Sequence, residues 1–238
     1  MYRVEQQHWW YLGMGSITRA ILNRWYVPGA NLSILDAGCG TGAAMTSYLA
    51  EYGTVTGFDM SELALGFCRL RQAQKLARAS VTHLPFSSKS FELVTSFDVL
   101  YERAVPDDAA SLREFARVLV QGGRVLLRLP AYDWLRGQHD KGIHTARRYT
   151  ATQVKGLLQK TGFTVEHISY ANILLFPAAL MKRTAERIWP PRTEQSDLTL
   201  SAGPFNRLLQ NILSLEAPLV AHIGMPYGLS VIAVGQKG

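Results

Sequence analysis

A run of alternating glycines follows the first predicted strand of the chain. That strand ends at Asp36, and the glycines are Gly38, Gly40 and Gly42. Glycine lets a backbone turn sharply and lets a ligand approach without a Cβ in the way. Asp59 ends the second predicted strand, seventeen residues after Gly42. This is close to the ~20-residue offset of a carboxylate that accepts hydrogen bonds from ribose hydroxyls. The combination predicts a nucleoside-binding site at the first strand-to-helix turn.

The charge of Asp36 helps to choose among nucleoside cofactors. A dinucleotide places its pyrophosphate on amide groups at a helix N-terminus, and a carboxylate at that point repels it. A sulfonium nucleoside has no phosphate and carries a cation and an amino group, which a carboxylate attracts. The sequence therefore favours a sulfonium nucleoside. A nicotinamide-dependent oxidoreductase is a disfavoured alternative, because no recognisable set of hydride-transfer residues accompanies the glycines.

The elements that must position these residues alternate between strand and helix patterns. Short apolar or β-branched runs predict strands at Leu32–Leu35, Thr54–Phe58, Phe91–Phe97, Arg124–Leu129, Phe163–Ser169 and Leu229–Val234. Longer periodic runs predict helices at Ala43–Tyr52, Glu62–Ala77, Asp107–Leu119, Thr152–Lys160, Leu174–Ile188 and Phe205–Leu215. Such alternation implies βαβ crossovers, a buried parallel sheet and helices on both faces.

Several motifs together resemble one enzyme family, the class I S-adenosylmethionine-dependent methyltransferases, in particular its type 11-like small-molecule enzymes. The segment 35–42, LDAGCGTG, resembles the first motif of that family. Further blocks resemble its acidic ribose motif, its Leu-Pro-Phe loop, its fourth strand, and its helix with a Gly-Gly turn and fifth strand; they lie at 57–61, 84–86, 90–94 and 114–124. The resemblance covers about residues 30–130.

The resemblance implies a fold and a domain organisation. The fold would be α/β and Rossmann-like, with a mostly parallel seven-stranded sheet, helices on both faces and a helical insertion before the last strand at about 171–227. Residues 1–29 would form an N-terminal helical cap, and residues 30–238 the methyltransferase domain. The insertion is the natural place for substrate recognition, because open α/β sheets vary their site by what they add at the carboxyl ends of the strands.

The resemblance also implies the cofactor, S-adenosyl-L-methionine with S-adenosyl-L-homocysteine as product, and its contacts. The glycines would back the homocysteine portion, Asp59 would hold the ribose and Met60 would flank the adenine. Many relatives carry an acidic residue for the adenine amino group where this chain has Ser80. The full set of expected cofactor-binding residues is Asp36, Gly38, Gly40, Gly42, Asp59, Met60, Ser80, Val81, Phe97, Trp10 and Tyr11. Trp10 and Tyr11 belong to a dense aromatic run, 8–11, that resembles a pocket-capping helix; the alternative is that they only anchor that helix.

Candidate catalytic residues follow the fourth and fifth strands. Tyr101 lies after the fourth strand, where acceptor-facing residues commonly lie. His139 and His144 lie in a loop after the fifth strand that resembles a block of the same branch. An imidazole titrates near neutrality and can act as a general base. Methyl transfer needs such a base only if the acceptor must lose a proton.

The same loop has further readings. Arg147 or Arg148 could hold an anionic acceptor, or Arg147 with Tyr149 could simply fasten the loop to the body of the domain. Metal ligation by the loop's His and Asp residues is conceivable, but their spacing fits no structural-zinc pattern and no cysteine is near. We therefore expect no metal. Thr150 is predicted to cap the next helix.

Composition narrows compartment and partners. Two cysteines among 238 residues cannot build a disulfide framework, and no signal-peptide pattern is seen, so a cytoplasmic location is expected. The net charge of +7 suits an anionic substrate, a membrane surface or simply a solvated surface. Nucleic acid is disfavoured as a partner, because the chain after the fourth strand lacks the Asn/Asp-Pro-Pro-aromatic block of amino-methylating DNA enzymes. The apolar run Ala171–Met181 is too short to cross a bilayer, but the cations after it allow peripheral membrane contact.

The sequence thus predicts methyl transfer from S-adenosylmethionine to an oxygen, nitrogen or carbon atom of a small-molecule metabolite. The first alternative is a lipid, quinone or isoprenoid-linked acceptor at the membrane surface. The second is a binding module that retains the cofactor fold without catalysis. The oligomeric state cannot be predicted from these patterns.

Overall fold

A seven-stranded mixed sheet organises the chain. The computed structural model describes residues 2, 4–137, 145–188 and 203–238. The strands are β1 Leu32–Ala37, β2 Gly53–Asp59, β3 Leu76–Arg78, β4 Phe91–Phe97, β5 Leu119–Pro130, β6 Phe163–Ala171 and β7 Ser230–Lys237. Their order is β3-β2-β1-β4-β5-β7-β6, with β7 antiparallel to β5 and β6 and the other pairs parallel. This confirms the predicted Rossmann-like fold class.

Helices cover both faces of the sheet. Their bounds are α1 Trp9–Leu22, α2 Ala43–Thr46, α3 Glu62–Leu70, α4 Asp108–Val118, α5 Ala151–Lys160, α6 Phe176–Ile188, α7 Asn206–Leu215 and α8 Ala217–His222. The predicted cap at Thr150 is confirmed: its hydroxyl accepts from the Gln153 N–H, and the Gln153 side chain accepts from the Thr150 N–H at 2.8 Å. This capping box satisfies backbone donors that the first helical turn leaves unpaired.

Two predicted helices are shorter than their periodicity indicated. The helix predicted over 62–77 ends at Leu70, because Gln72 adopts a left-handed backbone with φ of 64°. The chain then becomes extended, and β3 pairs with the end of β2, a strand that the helical prediction concealed. The helix predicted over 43–52 ends at Thr46, where the Ser47 hydroxyl bonds the Ala43 carbonyl at 2.5 Å. Such a side-chain bond competes with continued helix.

Helix α1 is part of the core rather than an appendage. Its Met14, Ile17 and Ile21 are fully buried in a cluster with β1, β4, β5 and β7. A Cβ on Gly13 would lie 2.6 Å from Leu213 Cδ2, so α1 and α7 cross with almost no space between them. The opposite face of the sheet is covered by α4 and α5, through residues such as Phe115.

The expected insertion lies between β6 and β7 and contains α6, α7 and α8. Glu216, between α7 and α8, connects these helices to the start of the insertion and is 1% exposed. The Glu216 carboxylate accepts hydrogen bonds from the Ile173 and Leu174 N–H groups at 3.0 and 2.8 Å. Within the ranges that the structure describes, we find no helix with both the length and the apolarity to cross a membrane.

Candidate functional site

The carboxyl ends of the parallel strands bring the predicted residues to one edge of the sheet. Asp36 of β1 stands in register with Gly57 of β2 and with Thr95 of β4. Residues in register on parallel strands point to the same face, so the ends of these three strands form one wall. Open α/β sheets bind ligands at such an edge.

The three loop glycines all have left-handed backbones, but they have different roles. Their φ angles are 74°, 54° and 78° at Gly38, Gly40 and Gly42. A Cβ on Gly38 would lie 2.4 Å from Val99 Cγ2, and one on Gly42 would lie 3.0 Å from Cys68 Sγ. A Cβ on Gly40 would meet no atom within 4 Å. The outer two glycines therefore permit close packing, whereas the middle one borders open space that a ligand can enter.

Asp59 lies directly beside that middle glycine. Its Oδ2 accepts from the Gly40 N–H at 3.0 Å, and its Oδ1 accepts from the Ser61 N–H at 2.8 Å. The side chain is half-buried. A carboxylate offers about four lone-pair positions, so two remain for further donors. Paired hydroxyls at this position would complete the set, which is the role predicted for Asp59 towards a ribose.

Asp36 is buried under the loop, 2% exposed. The Thr95 hydroxyl donates to its Oδ1 at 2.8 Å. Burial raises the pKa of Asp36 from 3.8 to about 6, against the lowering influence of the Thr95 hydrogen bond and of Arg128, while Asp59 raises it further. At neutral pH the group is thus a buried anion that a nearby cation or ammonium group would stabilise.

The segment before α1 is fastened to the glycine loop by a buried ion pair. Arg71 Nη2 lies 2.9 Å from Glu5 Oε2, with both side chains about 5% exposed. The Glu5 carboxylate also accepts from the Thr41 hydroxyl, and Arg71 donates to the Thr41 and Tyr2 carbonyls at 3.0 Å each. Sequence reasoning missed this pair, since no local pattern joins residues 66 positions apart.

A second buried cation organises the opposite side of the edge. Arg128, at the end of β5, lies 2.7 Å from Asp98 Oδ2. Its guanidinium is 4.9 Å from the ring centroids of both Trp10 and Phe97. Two predicted cofactor-binding residues are thus brought together, around an arginine that the sequence analysis did not single out. Burial raises the pKa of the adjacent Tyr11 to about 12, aided by Glu5 and Asp98 and opposed by Arg128.

The residues predicted to contact the adenine lie on the other side of the loop. Met60 is 53% exposed, Val81 is buried, and Ser80 is half-buried. The Ser80 hydroxyl is 2.9 Å from the Thr82 hydroxyl, within its own turn. Arg78 donates to the Met60 carbonyl at 3.1 Å and holds the chain that carries this side chain.

Of the three predicted catalytic residues, Tyr101 lies in the part of the chain that the structure describes. Tyr101 is 8% exposed and packs in the core, where its carbonyl accepts from the Ala146 N–H at 2.8 Å. His139 and His144 lie outside the described residues. The half-buried Glu102 is an additional candidate, since burial raises its carboxyl pKa and the charges of Asp59 and Asp98 raise it further. It follows Tyr101 directly, after the fourth strand.

The loop after β5 is attached to the body through its described end. Arg147 Nη2 donates to the Val105 carbonyl at 2.7 Å, and its Nη1 lies 3.2 Å from Asp108 Oδ2. The Tyr149 hydroxyl also donates to Asp108, at 2.9 Å. These contacts match the interpretation in which Arg147 and Tyr149 fasten the loop. Among the residues with described structure, no group of three or more His, Cys, Asp or Glu could hold a metal ion. His139, Asp140 and His144 lie outside those residues.

A cluster of aromatic rings stands beside the edge, at the ends of β5 and β6. Tyr132 stacks on Tyr170 and Trp134, with ring centroids 5.1 and 5.3 Å apart. Phe176 lies 6.1 Å from Tyr132 and 5.4 Å from Tyr227. Trp134 and Tyr227 are both nearly half exposed. Sequence reasoning missed this cluster, because its members come from four separate segments.

Comparison with known proteins finds a family match for one segment of this chain. Residues 35–127 match the family described as "Methyltransferase domain". Demethylmenaquinone methyltransferase of Lactiplantibacillus plantarum is 36% identical over 107 residues, 41% of this chain and 44% of the relative. The match thus spans less than half of that curated relative.

Solved structures extend the likeness in fold to the whole chain. A Haloferax volcanii protein solved in complex with the Trm112 methyltransferase activator has a TM-score of 0.63 at 18% identity, covering 98% of this chain and 92% of that one. An S-adenosylmethionine-dependent methyltransferase from Thermotoga maritima has a TM-score of 0.62 at 13% identity, covering 100% and 93%. This chain therefore has the Rossmann-like fold of these solved structures, and its segment 35–127 matches the methyltransferase-domain family. The family match covers the glycine loop and Asp59, and it ends before the insertion.

Proposed function

We propose that this protein transfers a methyl group from S-adenosylmethionine to an oxygen, nitrogen or carbon atom of a small-molecule acceptor. The observation that carries the proposal is the open space beside Gly40, which lies next to the Asp59 carboxylate inside the segment that matches the methyltransferase family. The residues present fit the cofactor. The space beside Gly40 is free of protein atoms but would be occupied by a Cβ, and the Asp59 carboxylate that borders it has lone pairs left for further donors.

Each residue of the edge would have a defined task. When bound, S-adenosylmethionine supplies a methyl group activated on a sulfonium. Asp59 would accept hydrogen bonds from the ribose hydroxyls, and the buried charge of Asp36 would favour the cationic portion. Met60, Ser80 and Val81 would border the adenine. The remaining task of the protein is alignment, since the transfer is an in-line displacement.

The N-terminal segment would close the site. The ion pair of Glu5 with Arg71 holds the chain before α1 against the loop, and Trp10 and Tyr11 lie on the β5 side of the same edge. A segment seated in this way excludes water from the transfer site. In this proposal residues 1–29 act as the cap of the domain that residues 30–238 form.

Proton removal, where an acceptor requires it, would fall to a side chain near the ends of β4 and β5. The proposed groups are His144, His139 and Tyr101, with Glu102 as a fourth. Once an acceptor is found, His144→Ala and His139→Ala should lower turnover while S-adenosylmethionine affinity stays nearly unchanged. The pH profile of turnover would distinguish a carboxylate base from an imidazole base. If Glu102→Gln alone removes the fall in turnover at acidic pH, Glu102 is the base.

Cofactor binding is the first test. Calorimetric titration with S-adenosylmethionine, S-adenosylhomocysteine and NAD should give micromolar binding of the first two and none of the third. Asp59→Ala should weaken the binding of S-adenosylmethionine and S-adenosylhomocysteine by about 1.5–3 kcal/mol, because it removes charge-assisted hydrogen bonds. Glu62→Ala is the matched control, an exposed acid three residues away. Binding without turnover on any acceptor would favour a non-catalytic module, and binding of NAD alone would contradict the proposal.

A second candidate is a lipid, quinone or isoprenoid-linked acceptor at a membrane surface. The aromatic cluster around Tyr132 favours it, because five packed rings at the mouth suit an apolar, ring-bearing molecule better than a highly charged one. The relative named a demethylmenaquinone methyltransferase is compatible with such an acceptor. Trp134→Ala should then weaken the binding of an apolar acceptor and leave S-adenosylmethionine binding unchanged.

A further inference from the structure

Exposed apolar side chains are concentrated in the insertion. Among the described residues, nine of the fifteen large hydrophobic side chains that are exposed lie between positions 174 and 227. Single exposed apolar residues are ordinary on a protein surface, but a contiguous set marks an interaction site. The arrangement of these side chains on α7 and α8 decides between the two.

The exposed residues form a row along α7 and α8. The row consists of Phe205, Leu208, Leu215, Leu219 and Ile223, each between 43% and 71% exposed. Their spacings are three, seven, four and four residues, which keep side chains on one face of a helix. The backbone of the joining residue, Glu216, is itself helical, with φ of −72° and ψ of −20°.

The other face of these helices is already satisfied. Leu213, Val220 and Ala221 are completely buried in the core cluster that α1 shares. A surface helix of a globular protein has polar residues opposite its buried stripe. Here the exposed side of α7 and α8 carries the apolar row beside the polar Arg207, Asn211 and His222, and burial against the domain does not account for that row.

Helix α6 extends the same surface. Because Glu216 holds the Leu174 N–H at 2.8 Å, Leu174 lies beside the junction that carries Leu215. Leu174, in the turn before α6, is 57% exposed, and Met181, on α6, is 68% exposed. Phe176, between them, belongs to the aromatic cluster at the mouth. The apolar surface is therefore continuous with the proposed acceptor entrance.

The charges around this surface are mainly positive. In the described stretches 173–188 and 203–229, Lys182, Arg183, Arg187 and Arg207 stand against two acidic residues, Glu186 and the buried Glu216. The exposed side chains there include Lys182 and Arg207. Long basic side chains can extend from an apolar face towards anionic headgroups while their stems stay among the acyl chains.

We infer that the row on α7 and α8, with the adjoining face of α6, seats the domain on an anionic lipid bilayer. This deepens the second candidate function and rests on it, since it places the mouth of the site against the phase from which a lipophilic acceptor would enter. Apolar insertion provides the affinity, and the basic side chains add attraction to anionic lipid.

Vesicle sedimentation tests the inference on the full chain. Vesicles of equimolar phosphatidylcholine and phosphatidylglycerol should sediment the protein, and vesicles of phosphatidylcholine alone should do so more weakly. The double variant Leu215→Gln with Ile223→Gln should partition at least about tenfold more weakly, because two apolar side chains no longer enter the bilayer. The control, Leu63→Gln with Leu70→Gln on α3, alters side chains of equal exposure, 74% and 68%, and should bind as the wild type does.

Three outcomes would overturn the inference: no sedimentation of the wild type, full binding by the insertion variant, or equal losses in the insertion variant and the control. A wild type that is dimeric and does not bind vesicles, with a monomeric insertion variant, would assign the row to self-association instead. Calorimetry with S-adenosylmethionine on the same preparations keeps the two proposals apart. Retained cofactor binding without vesicle binding refutes the surface alone, and absent cofactor binding refutes the function.

Discussion

The two halves of this domain put their apolar residues to opposite use. In the segment 35–127 the strand ends are packed so tightly that an added Cβ at Gly38 would lie 2.4 Å from a neighbour, and the buried charges of Asp36 and Arg71 have hydrogen-bond partners. In the insertion, an apolar row of two helices faces outward. In the proposed function the first half would hold a ligand by preorganised polar groups, and the inferred membrane contact would use the exposed face of the second. The comparison predicts that substitutions in the first half change stability and cofactor affinity, whereas those on the insertion surface change neither.

The largest effect is expected from Glu5→Gln. The variant leaves the Arg71 guanidinium buried without its anion, which should lower the free energy of unfolding by about 3 kcal/mol or more. Chemical denaturation measures it. The double variant Glu5→Gln with Arg71→Met should recover much of the loss, because no buried charge remains uncompensated. If the single variant were as stable as the wild type, the N-terminal segment would not be held as described.

Next comes a contrast within the glycine loop. Gly38→Ala should lower the free energy of unfolding by about 2–4 kcal/mol, because the backbone is left-handed and the added Cβ clashes with Val99. Gly40→Ala should cost only about 1 kcal/mol, since its Cβ enters open space. Affinity for S-adenosylmethionine should nevertheless fall in Gly40→Ala, because that Cβ occupies the proposed ligand volume. Thermal unfolding and calorimetry together would expose the error if both variants behaved alike.

A smaller effect, with a pH signature, is expected at Asp36. Its pKa is raised from 3.8 to about 6 in the folded protein, so the folded state binds the proton more tightly, and stability falls as pH rises from about 4 to about 6. Asp36→Asn keeps an acceptor for Thr95 and removes the buried charge. It should raise stability by about 2–3 kcal/mol above pH 6 and by nothing below pH 4. Cofactor affinity should fall at the same time.

The smallest change in stability is expected in the insertion. Leu215→Gln with Ile223→Gln should shift the free energy of unfolding by less than about 0.5 kcal/mol, since both side chains are already in solvent. S-adenosylmethionine affinity should not change. A large loss of stability would mean that these side chains pack against the domain, and the contrast between the halves would fail.

Local sequence determined the cofactor half of the molecule. The strand at 32–37, the glycines after it and Asp59 were predicted in their observed places, because a strand-to-helix turn around a nucleoside depends on residues close in sequence. The cap at Thr150 was predicted for the same reason. Periodicity failed at β3, where Leu76 and Ala77 continue a helical pattern and only pairing with β2 makes the segment a strand.

The tertiary structure alone decided the rest. Glu5 meets Arg71, Arg128 meets Trp10, and the rings around Tyr132 meet one another from positions far apart in the chain. No periodicity or short motif records such contacts, because they arise when separate strands end at a common edge. Likewise, the pattern of α7 and α8 shows that the helices are amphipathic, but only packing against α1 shows which apolar face is buried and which one is left exposed.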